Sequence, residues 1–331
     1  MTHTVTVSGT EISFPCPDGT TILEAAQAAG WELPYSCRKG VCSSCRGGLV
    51  SGQVSEDVFP DGTALFCQAK PLSDVAIAPA FIRAVDPTSR KVMDAKLYRI
   101  TRPADDVAVL QVRFPAGKRV KFTAGQYLEL ILEGGKRRSF SMANPPHQND
   151  GVELHVRAVP GGYFSEKVLP ALVPGTPLKM ELPYGNFGLK PESERPAILL
   201  ASGTGFAPIK SIVEDAIRSG MKRPLTLYWG ARSRKDLYAI GLPEKWAARF
   251  PQFRFVPVLS DPTDQDEWQG RTGFVHQAVM QDVPDLSAHE VYACGVPAMV
   301  NTARRDFVGT CGLPAGEFFS DAFVTPADAA S

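Results

Sequence analysis

No run in this chain approaches the ~18 consecutive apolar residues of a membrane span, so a membrane-spanning protein is not expected. Neither sign of charge is in excess. The 35 Lys and Arg are matched by 35 Asp and Glu, and nothing in that balance argues for a nucleic-acid partner. The opening MTHTVTVSGT has no basic n-region and no apolar h-region, so no secretory signal is expected. Internal repeats and low-complexity tracts are lacking, which sets aside solenoids and solvated tails. The seven cysteines are an odd number and four of them cluster, which suits a reducing, cytoplasmic setting better than a disulfide framework. What remains is 331 residues, 44% hydrophobic and 21% charged, as in a globular protein of two or three domains.

The densest chemistry lies in Cys37-Arg38-Lys39-Gly40-Val41-Cys42-Ser43-Ser44-Cys45, with a lone Cys67 beyond it. Gaps of four and then two residues, plus a distant fourth cysteine, match the plant-type [2Fe–2S] ferredoxin spacing. Each iron needs two thiolates besides the bridging sulfides. A tight loop can supply three and a neighbouring strand end the fourth, and Gly40 lets backbone amides turn inward. Two alternatives stand beside this: a zinc site, although only Cys42 and Cys45 form a CxxC-like pair, and a disulfide. Cys16, Cys294 and Cys311 lie outside the set.

Residues 1–84 read as a small α/β unit. Thr4–Ser8 and Glu11–Phe14 alternate around Ser8-Gly9-Thr10 as a hairpin. Thr21 and Glu24 form a capping box for a helix over Ile22–Ala29, stopped by Gly30. Short strands are expected at Gly48–Val54, Leu65–Cys67 and Asp74–Ala78. Residues 85–91 read as a linker. Residues 92–190 hold strands at Val107–Phe114, Tyr127–Leu132, Arg138–Met142, Val152–Val159 and Leu178–Leu182, with turn residues between, which suggests a barrel. One helix is expected over Ser165–Leu172. Over residues 195–331, buried apolar strands (Ala197–Ala201, Leu225–Trp229, Phe253–Leu259, Glu290–Ala293) alternate with helical segments, the pattern of a doubly wound parallel sheet.

The order of these parts carries a resemblance. Strand hairpin, helix, cysteine loop and further strands follow the β-grasp order of plant-type ferredoxins. Arg138-Ser139-Phe140-Ser141 resembles the RxYS flavin signature of the ferredoxin–NAD(P) reductase superfamily, with Phe140 where the family usually has Tyr. The resemblance implies a six-stranded antiparallel FAD barrel. Arg138 and Ser139 would meet the pyrophosphate side, Phe140 would stack on the ring system without a phenolic hydrogen bond, and the Ser141 hydroxyl would face flavin N5. His155-Val156-Arg157 would run along the flavin, and the turn at Gly161, Gly162 and Ser165 would offer amides and a hydroxyl to the pyrophosphate. Pro183-Tyr184-Gly185-Asn186-Phe187 resembles the segment that closes this domain.

Gly203-Thr204-Gly205-Phe206-Ala207-Pro208 follows a buried strand and opens a helix. It resembles the superfamily's GxGxxP motif for nicotinamide dinucleotide. Cys294-Gly295-Val296-Pro297-Ala298-Met299 resembles its CGxPxM segment, which implies Cys294 near nicotinamide C4 and Gly295 and Pro297 shaping the turn. Phe323 is the candidate aromatic over the flavin face, and Asp321 the candidate partner to the nicotinamide or N5 region. An ordinary edge strand is the alternative there. Arg232, Ser233 and Arg234 offer cations and a hydroxyl to a 2′-phosphate, whereas Ser260-Asp261 stands where NADP-selective relatives have Ser-Arg. The expectation is NADPH, with NADH as the alternative.

As a whole the chain resembles the three-domain reductases that feed Rieske-type ring-hydroxylating dioxygenases. This implies an electron path from NAD(P)H through FAD and a [2Fe–2S] cluster to a terminal Rieske oxygenase acting on an aromatic acid such as terephthalate. Reductases of diiron monooxygenases and of deoxysugar dehydrases share the same parts. A zinc-stabilised scaffold is the rival from another class. No Rieske CxH pair and no globin domain occur in the chain, so substrate oxidation is assigned to another polypeptide. A monomer or weak oligomer is expected. Residues 1–85 carry five Lys and Arg against eight Asp and Glu, a net of −3, and the remainder carries +3. Arg38, Lys39 and Arg46 at the cysteine loop are expected to steer an acidic oxygenase patch.

Overall fold

The computed structural model describes residues 1–85 and 90–324, in two compact units, Met1–Ser89 and Arg90–Ser331. The linker expected over residues 85–91 falls largely on residues 86–89, outside the described residues.

In the first unit, β1 (Thr2–Val7) and β2 (Ser13–Pro17) form the hairpin. Helix α1 (Ile22–Ala28) follows, then β3 (Trp31–Glu32), β4 (Arg46–Ser51), β5 (Thr63–Leu65), β6 (Val75–Ala78) and β7 (Arg83–Ala84). The main sheet runs β2-β1-β6-β4-β5, with β1 and β6 parallel. The capping box is present. The Thr21 hydroxyl accepts from the Glu24 amide, and the Glu24 carboxylate accepts from the Thr21 amide at 3.1 Å. Such caps stabilise a helix start by about 1 kcal/mol. α1 buries Ile22, Leu23, Ala25 and Ala26, and the Leu23 amide donates to the Phe66 carbonyl at 2.9 Å. That bond ties the helix to the segment carrying Cys67. The two-residue ribbon β3–β7 is too short to leave a sequence pattern.

The second unit begins with a six-stranded antiparallel barrel: β8 (Lys91–Ala104), β9 (Val107–Arg113), β10 (Tyr127–Ile131), β11 (Arg137–Ser141), β12 (Gly151–Arg157) and β13 (Pro177–Tyr184). The order is β11-β10-β13-β8-β9-β12, and a bridge between Met142 and Leu154 closes it. Leu97, Leu110, Leu128, Leu130, Met142, Leu154, Met180 and Leu182 fill the interior. Each such burial contributes roughly 1.5–3 kcal/mol. Sequence reading marks only five of these strands. β8 escapes it because its alternation is broken by register shifts at Leu97/Arg99 and Thr101/Ala104. The helix expected over Ser165–Leu172 is instead a π turn (Phe164–Val168) followed by a 3₁₀ turn (Leu169–Ala171). Pro170 has no amide hydrogen for an α ladder.

The remainder is the parallel sheet: β14 (Ala197–Ser202), α2 (Phe206–Arg218), β15 (Leu225–Ala231), α3 (Gly241–Arg249), β16 (Phe253–Leu259), β17 (Arg271–Thr272), α4 (Val275–Asp282), β18 (Glu290–Gly295), α5 (Pro297–Thr310) and β19 (Phe318–Ala322). Its order, β17-β16-β15-β14-β18-β19, reverses direction between β14 and β18. At a reversal the loops leaving two adjacent strands part and open a crevice at their carboxyl ends. The opposite end is pinned by a buried ion pair, Arg223 Nη2 to Glu290 Oε2 at 2.6 Å, with Tyr292 donating to the same oxygen at 2.7 Å. No helix among the described residues is long and apolar enough to cross a membrane.

Candidate functional site

The cysteine loop is built on three left-handed residues, Arg38 (φ 56°), Gly40 (φ 76°) and Ser43 (φ 58°). Two of them are not glycine, a strain of order 1 kcal/mol or more each that persists only where the surroundings impose it. The result is amides aimed at sulfur. Lys39 N and Cys42 N lie 3.4 Å from Cys37 Sγ, and Cys37 N lies 3.5 Å from Cys42 Sγ. Cys45 and Cys67 bring their sulfurs to 3.1 Å, well beyond the ~2.05 Å of a disulfide, and none of the seven cysteines is in a disulfide. The four thiols therefore stand as two pairs, Cys37 with Cys42 and Cys45 with Cys67. Hydrogen bonding within the pairs draws the Cys37 and Cys67 thiols down to about 7 against the opposing effect of burial. Among the described residues no group of three or more Cys, His, Asp or Glu could hold a single metal ion. Two pairs suit a two-iron cluster, with two thiolates per iron, better than one tetrahedral zinc.

Sequence reading missed Gln68. Its amide nitrogen donates toward Cys67 O (2.7 Å), Cys67 Sγ (3.3 Å) and Arg38 O (3.4 Å), bridging the loop to the fourth ligand. A Cβ at Gly40 would stand 3.0 Å from Gln68 Cγ, so this glycine also leaves room for the bridge. The expected steering cations are reduced in number. Arg46 is tied to Asp61 at 2.9 Å and covers Phe59, and Arg38 bonds Gln27 and lies over Tyr35. Lys39 is exposed.

On the barrel, β11 presents the flavin candidates. Ser141 is buried, and its hydroxyl bonds no other protein group among the described residues. Half-buried Arg138 spends Nη1 on the Arg137 carbonyl at 2.7 Å, leaving its other N–H groups available. Ser139 is exposed, and Phe140 packs on Phe164 with centroids 4.9 Å apart. The turn has Gly161 at φ 73°, but Ser165 Oγ accepts from the Val159 amide at 2.8 Å. Ser165 thus shapes the turn as an acceptor, and its O–H hydrogen is still available to an anion. An open serine, a guanidinium with free donors and a glycine turn fit an FAD.

β12 is the join between barrel and nucleotide sheet. Val152, Leu154 and Val156 point into the barrel core, so Glu153, His155 and Arg157 point out. Both His155 nitrogens are engaged: Nδ1 lies 2.7 Å from Tyr238 Oη, and Nε2 lies 3.0 Å from Glu153 Oε1. That leaves no ring nitrogen for a cofactor, so a place for His155 along the flavin, as the resemblance implies, would fall to the backbone of β12. Arg157 sits by the nucleotide loop. A Cβ on Gly203 would come within 3.1 Å of its Nη1, and its Nε lies 3.2 Å from Asp106 Oδ2.

The crevice at the switch point holds the nucleotide candidates. Gly203 (φ 52°) turns the chain out of β14, and Trp229 Nε1 donates to its carbonyl at 3.0 Å. Thr204 is buried. No side chain caps α2; its first amide, Phe206 N–H, turns back to the carbonyls of Gly203 and Thr204, and Pro208 lacks one, so the glycine turn Gly203–Gly205 ahead of the helix is the part placed to face an anion. Across the crevice, Ser202 Oγ accepts from the Val296 amide at 3.1 Å, and Pro297 opens α5. A Cβ at Gly205 would lie 2.2 Å from Cys294 O, and one at Gly295 would lie 2.1 Å from Ser202 Oγ. Cys294 is fully buried beneath this floor. The C-terminal segment forms an edge strand and also returns to the crevice. β19 pairs Asp321 with Cys294, and the Phe323 amide donates to Gly295 O at 2.8 Å. Beyond β15, Ser233 is committed to Asp236 (2.9 Å), and the Arg234 amide donates to Asp266 at 2.8 Å. Arg232 is exposed, with no side-chain partner among the described residues.

Comparison with known proteins matches residues 5–72 to a 2Fe-2S iron-sulfur cluster binding domain, 94–188 to an oxidoreductase FAD-binding domain and 199–305 to an oxidoreductase NAD-binding domain. The chain is 42% identical over 333 residues to terephthalate 1,2-dioxygenase reductase component 2 of Comamonas sp., covering 98% of each chain. It is 40% identical over 316 residues to the CDP-6-deoxy-L-threo-D-glycero-4-hexulose-3-dehydrase reductase of Yersinia pseudotuberculosis, covering 93% of this chain and 94% of the relative. The crystal structure of the Amycolatopsis cytochrome P450 reductase superposes with a TM-score of 0.77 at 32% identity, over 98% of this chain and 99% of that one.

Two alanine variants test the crevice. Gly205→Ala must displace backbone at Cys294, so we expect a lowered Tm and at least a tenfold rise in nucleotide KM for dye reduction. Gly309→Ala, where a Cβ meets open space in α5, should be neutral or stabilising by about 0.5 kcal/mol. Equal behaviour of the two would show that close approach is not what Gly205 provides.

Proposed function

Because the chain belongs to the oxidoreductases that join a 2Fe-2S domain to FAD-binding and NAD-binding domains, we propose that it is the reductase component of an aromatic-acid dioxygenase system. It transfers electrons from NAD(P)H through FAD to a [2Fe–2S] cluster. The flavin supplies the conversion from two-electron hydride chemistry to one-electron transfer. The observation that carries the site reading is the set of two thiol pairs in the same chain as an open Ser141 and a glycine-floored switch-point crevice.

The roles of the side chains follow from their placement. The glycine turn Gly203–Gly205 at the head of α2 binds the dinucleotide pyrophosphate, and Arg157 adds a cation beside Gly203. The Gly205 and Gly295 approaches keep the crevice floor low enough for the nicotinamide ring, with Cys294 beneath it. Ser141 offers its unoccupied hydroxyl to flavin N5, and Arg138 its remaining donors to the flavin pyrophosphate. Phe323, held by its amide to Gly295, covers the nicotinamide end. Asp321 is set beside Cys294 by the β18–β19 register. Cys37, Cys42, Cys45 and Cys67 hold the irons, and inward amides favour the thiolates. Cys42→Ser removes one ligand and leaves the flavin route intact. It should abolish cytochrome c reduction while dye reduction stays within about twofold of wild type. Survival of both activities would break the proposed path.

For the nucleotide we propose NADPH, recognised at its 2′-phosphate mainly by Arg232, since Ser233 Oγ is engaged with Asp236 and the Arg234 guanidinium leans on the Asp266 carbonyl at 3.5 Å. A surface cation that is exposed to water supports a modest preference, roughly tenfold or less in kcat/KM. Arg232→Ala should erase it. A strong NADH preference in the wild-type protein would sink this reading.

For the acceptor we propose a terminal Rieske oxygenase acting on an aromatic acid of the terephthalate kind, in line with the Comamonas relative. The Yersinia relative keeps a dehydrase acceptor as the second reading. Reconstitution decides between them. Product should form with the aromatic-acid oxygenase at rates at least tenfold above those with the dehydrase, and the reverse ratio would overturn the assignment.

A further inference from the structure

Five groups between barrel and nucleotide sheet belong to no cofactor site described above. Glu153 and His155 come from β12, Lys210 and Glu214 from α2, and Tyr238 from the loop after β15. They form one connected set. Tyr238 Oη lies 2.7 Å from His155 Nδ1, and His155 Nε2 lies 3.0 Å from Glu153 Oε1. Lys210 Nζ lies 3.2 Å from that same carboxylate oxygen and 3.0 Å from Glu214 Oε2, and it donates to the Ala143 carbonyl at 3.2 Å. One residue along α2, Ser211 donates to Asn144 O at 2.8 Å, and the Asn144 side chain accepts from the Glu153 amide at 2.8 Å.

The protonation states agree with one arrangement. Burial presses the His155 pKa down, so the ring is neutral and its contact with Glu153 is a hydrogen bond to a carboxylate, not an ion pair. Burial raises the Glu153 carboxyl, but the His155 bond and the Lys210 charge outweigh it and hold it at about 2. Burial lifts the Tyr238 phenol far above its ordinary range. Tyr238 therefore donates to Nδ1, Nε2–H donates to the Glu153 carboxylate, and Lys210 neutralises that charge. A buried polar set satisfied at every member fixes geometry more firmly than apolar contact, because any slip strands a charge or donor.

Its place in the fold gives that rigidity a use. The Met142–Leu154 bridge sets Ser141 opposite His155 on adjacent strands. Tyr238 packs edge-on against Trp229, whose indole holds the Gly203 carbonyl, and against Phe206 at the start of α2. The set thus couples the strand neighbour of the flavin serine to the glycine turn of the nucleotide loop. We propose that His155, Tyr238, Glu153 and Lys210 act as positioning residues that hold the nicotinamide turn in register with Ser141 for hydride transfer. The inference rests on the reductase reading above.

Tyr238→Phe and Glu153→Gln test it in the full-length holoprotein, with FAD and iron content measured first. Dye reduction by the wild-type protein checks the reductase reading on its own. If wild type fails to reduce dye, that reading falls, whatever the variants do. In single-turnover mixing with NAD(P)H, each variant should bleach the flavin about tenfold more slowly, with the nucleotide Kd from the saturation curve within about twofold of wild type. Tyr238→Phe loses only a hydroxyl and guards against misfolding of the charge variant. Wild-type bleaching rates in a cofactor-loaded Tyr238→Phe protein would overturn the proposal. So would an effect confined to Kd or to Tm.

Discussion

The pleat of β12 is the constraint on which the larger unit depends. A closed barrel requires every second residue of each strand to point inward, and Val152, Leu154 and Val156 meet that requirement. The intervening residues are then forced outward along one line. In most strands of a barrel that line meets water. In β12 it meets α2 and the loop after β15, so Glu153, His155 and Arg157 carry charge or hydrogen-bonding capacity into a buried join. The same alternation that fills the barrel therefore decides what holds the nucleotide sheet against it. A one-residue slip of β12 against β9 would put all three polar groups into the core.

The crevice depends on a second constraint, the closeness of two backbone turns. Parallel strands of opposite winding part at β14 and β18, but a gap alone does not make a floor. Gly205 and Gly295 let each turn approach the other strand's end to distances that a Cβ forbids. The Ser202–Val296 bond then fixes the spacing, and the stack of Phe206 on Trp229 at 4.0 Å supports the loop from below. The buried Arg223–Glu290 pair secures the sheet at its far end, where a break would leave an uncompensated charge. The sheet is held at one end by charge and at the other by backbone proximity, and only the second end is open to ligand.

Residues whose chemistry is tied to spacing were legible in the sequence. Cys37, Cys42, Cys45 and Cys67 declare a cluster by their intervals, and the structure adds that they stand in pairs. Thr21 and Glu24 declare the cap of α1. Gly203, Gly205 and Pro208 sit between an apolar run and a helix, and β14 and α2 follow that reading closely. Features set by tertiary neighbours were not legible. β8 carries bulges that scramble its period. The Pro170 region cannot complete an α-helix. Tyr238 and Lys210 matter because of what β12 presents to them, and no local pattern announces that. The alternation Val152-Glu153-Leu154-His155-Val156-Arg157 did contain a trace, three polar residues at period two in an otherwise apolar strand. For His155 that trace points to a join as well as to the flavin side that the resemblance implies. Its two nitrogens are consumed by protein partners.

The cysteine loop shows the same limit in electrostatics. Three cations near a redox centre suggest a steering surface when read as a string. In the structure Arg46 faces Asp61 and Thr63, and Arg38 is drawn to Gln27 and the Tyr35 ring. An exposed pair such as Arg46–Asp61 projects little net field beyond a Debye length of ~8 Å, so Lys39 is left as the exposed side-chain cation of the loop. A single lysine gives about 1 kcal/mol or less at contact in water. Long-range attraction from this loop is correspondingly small. Sequence intervals carry no information on which of these cations is already paired within the fold.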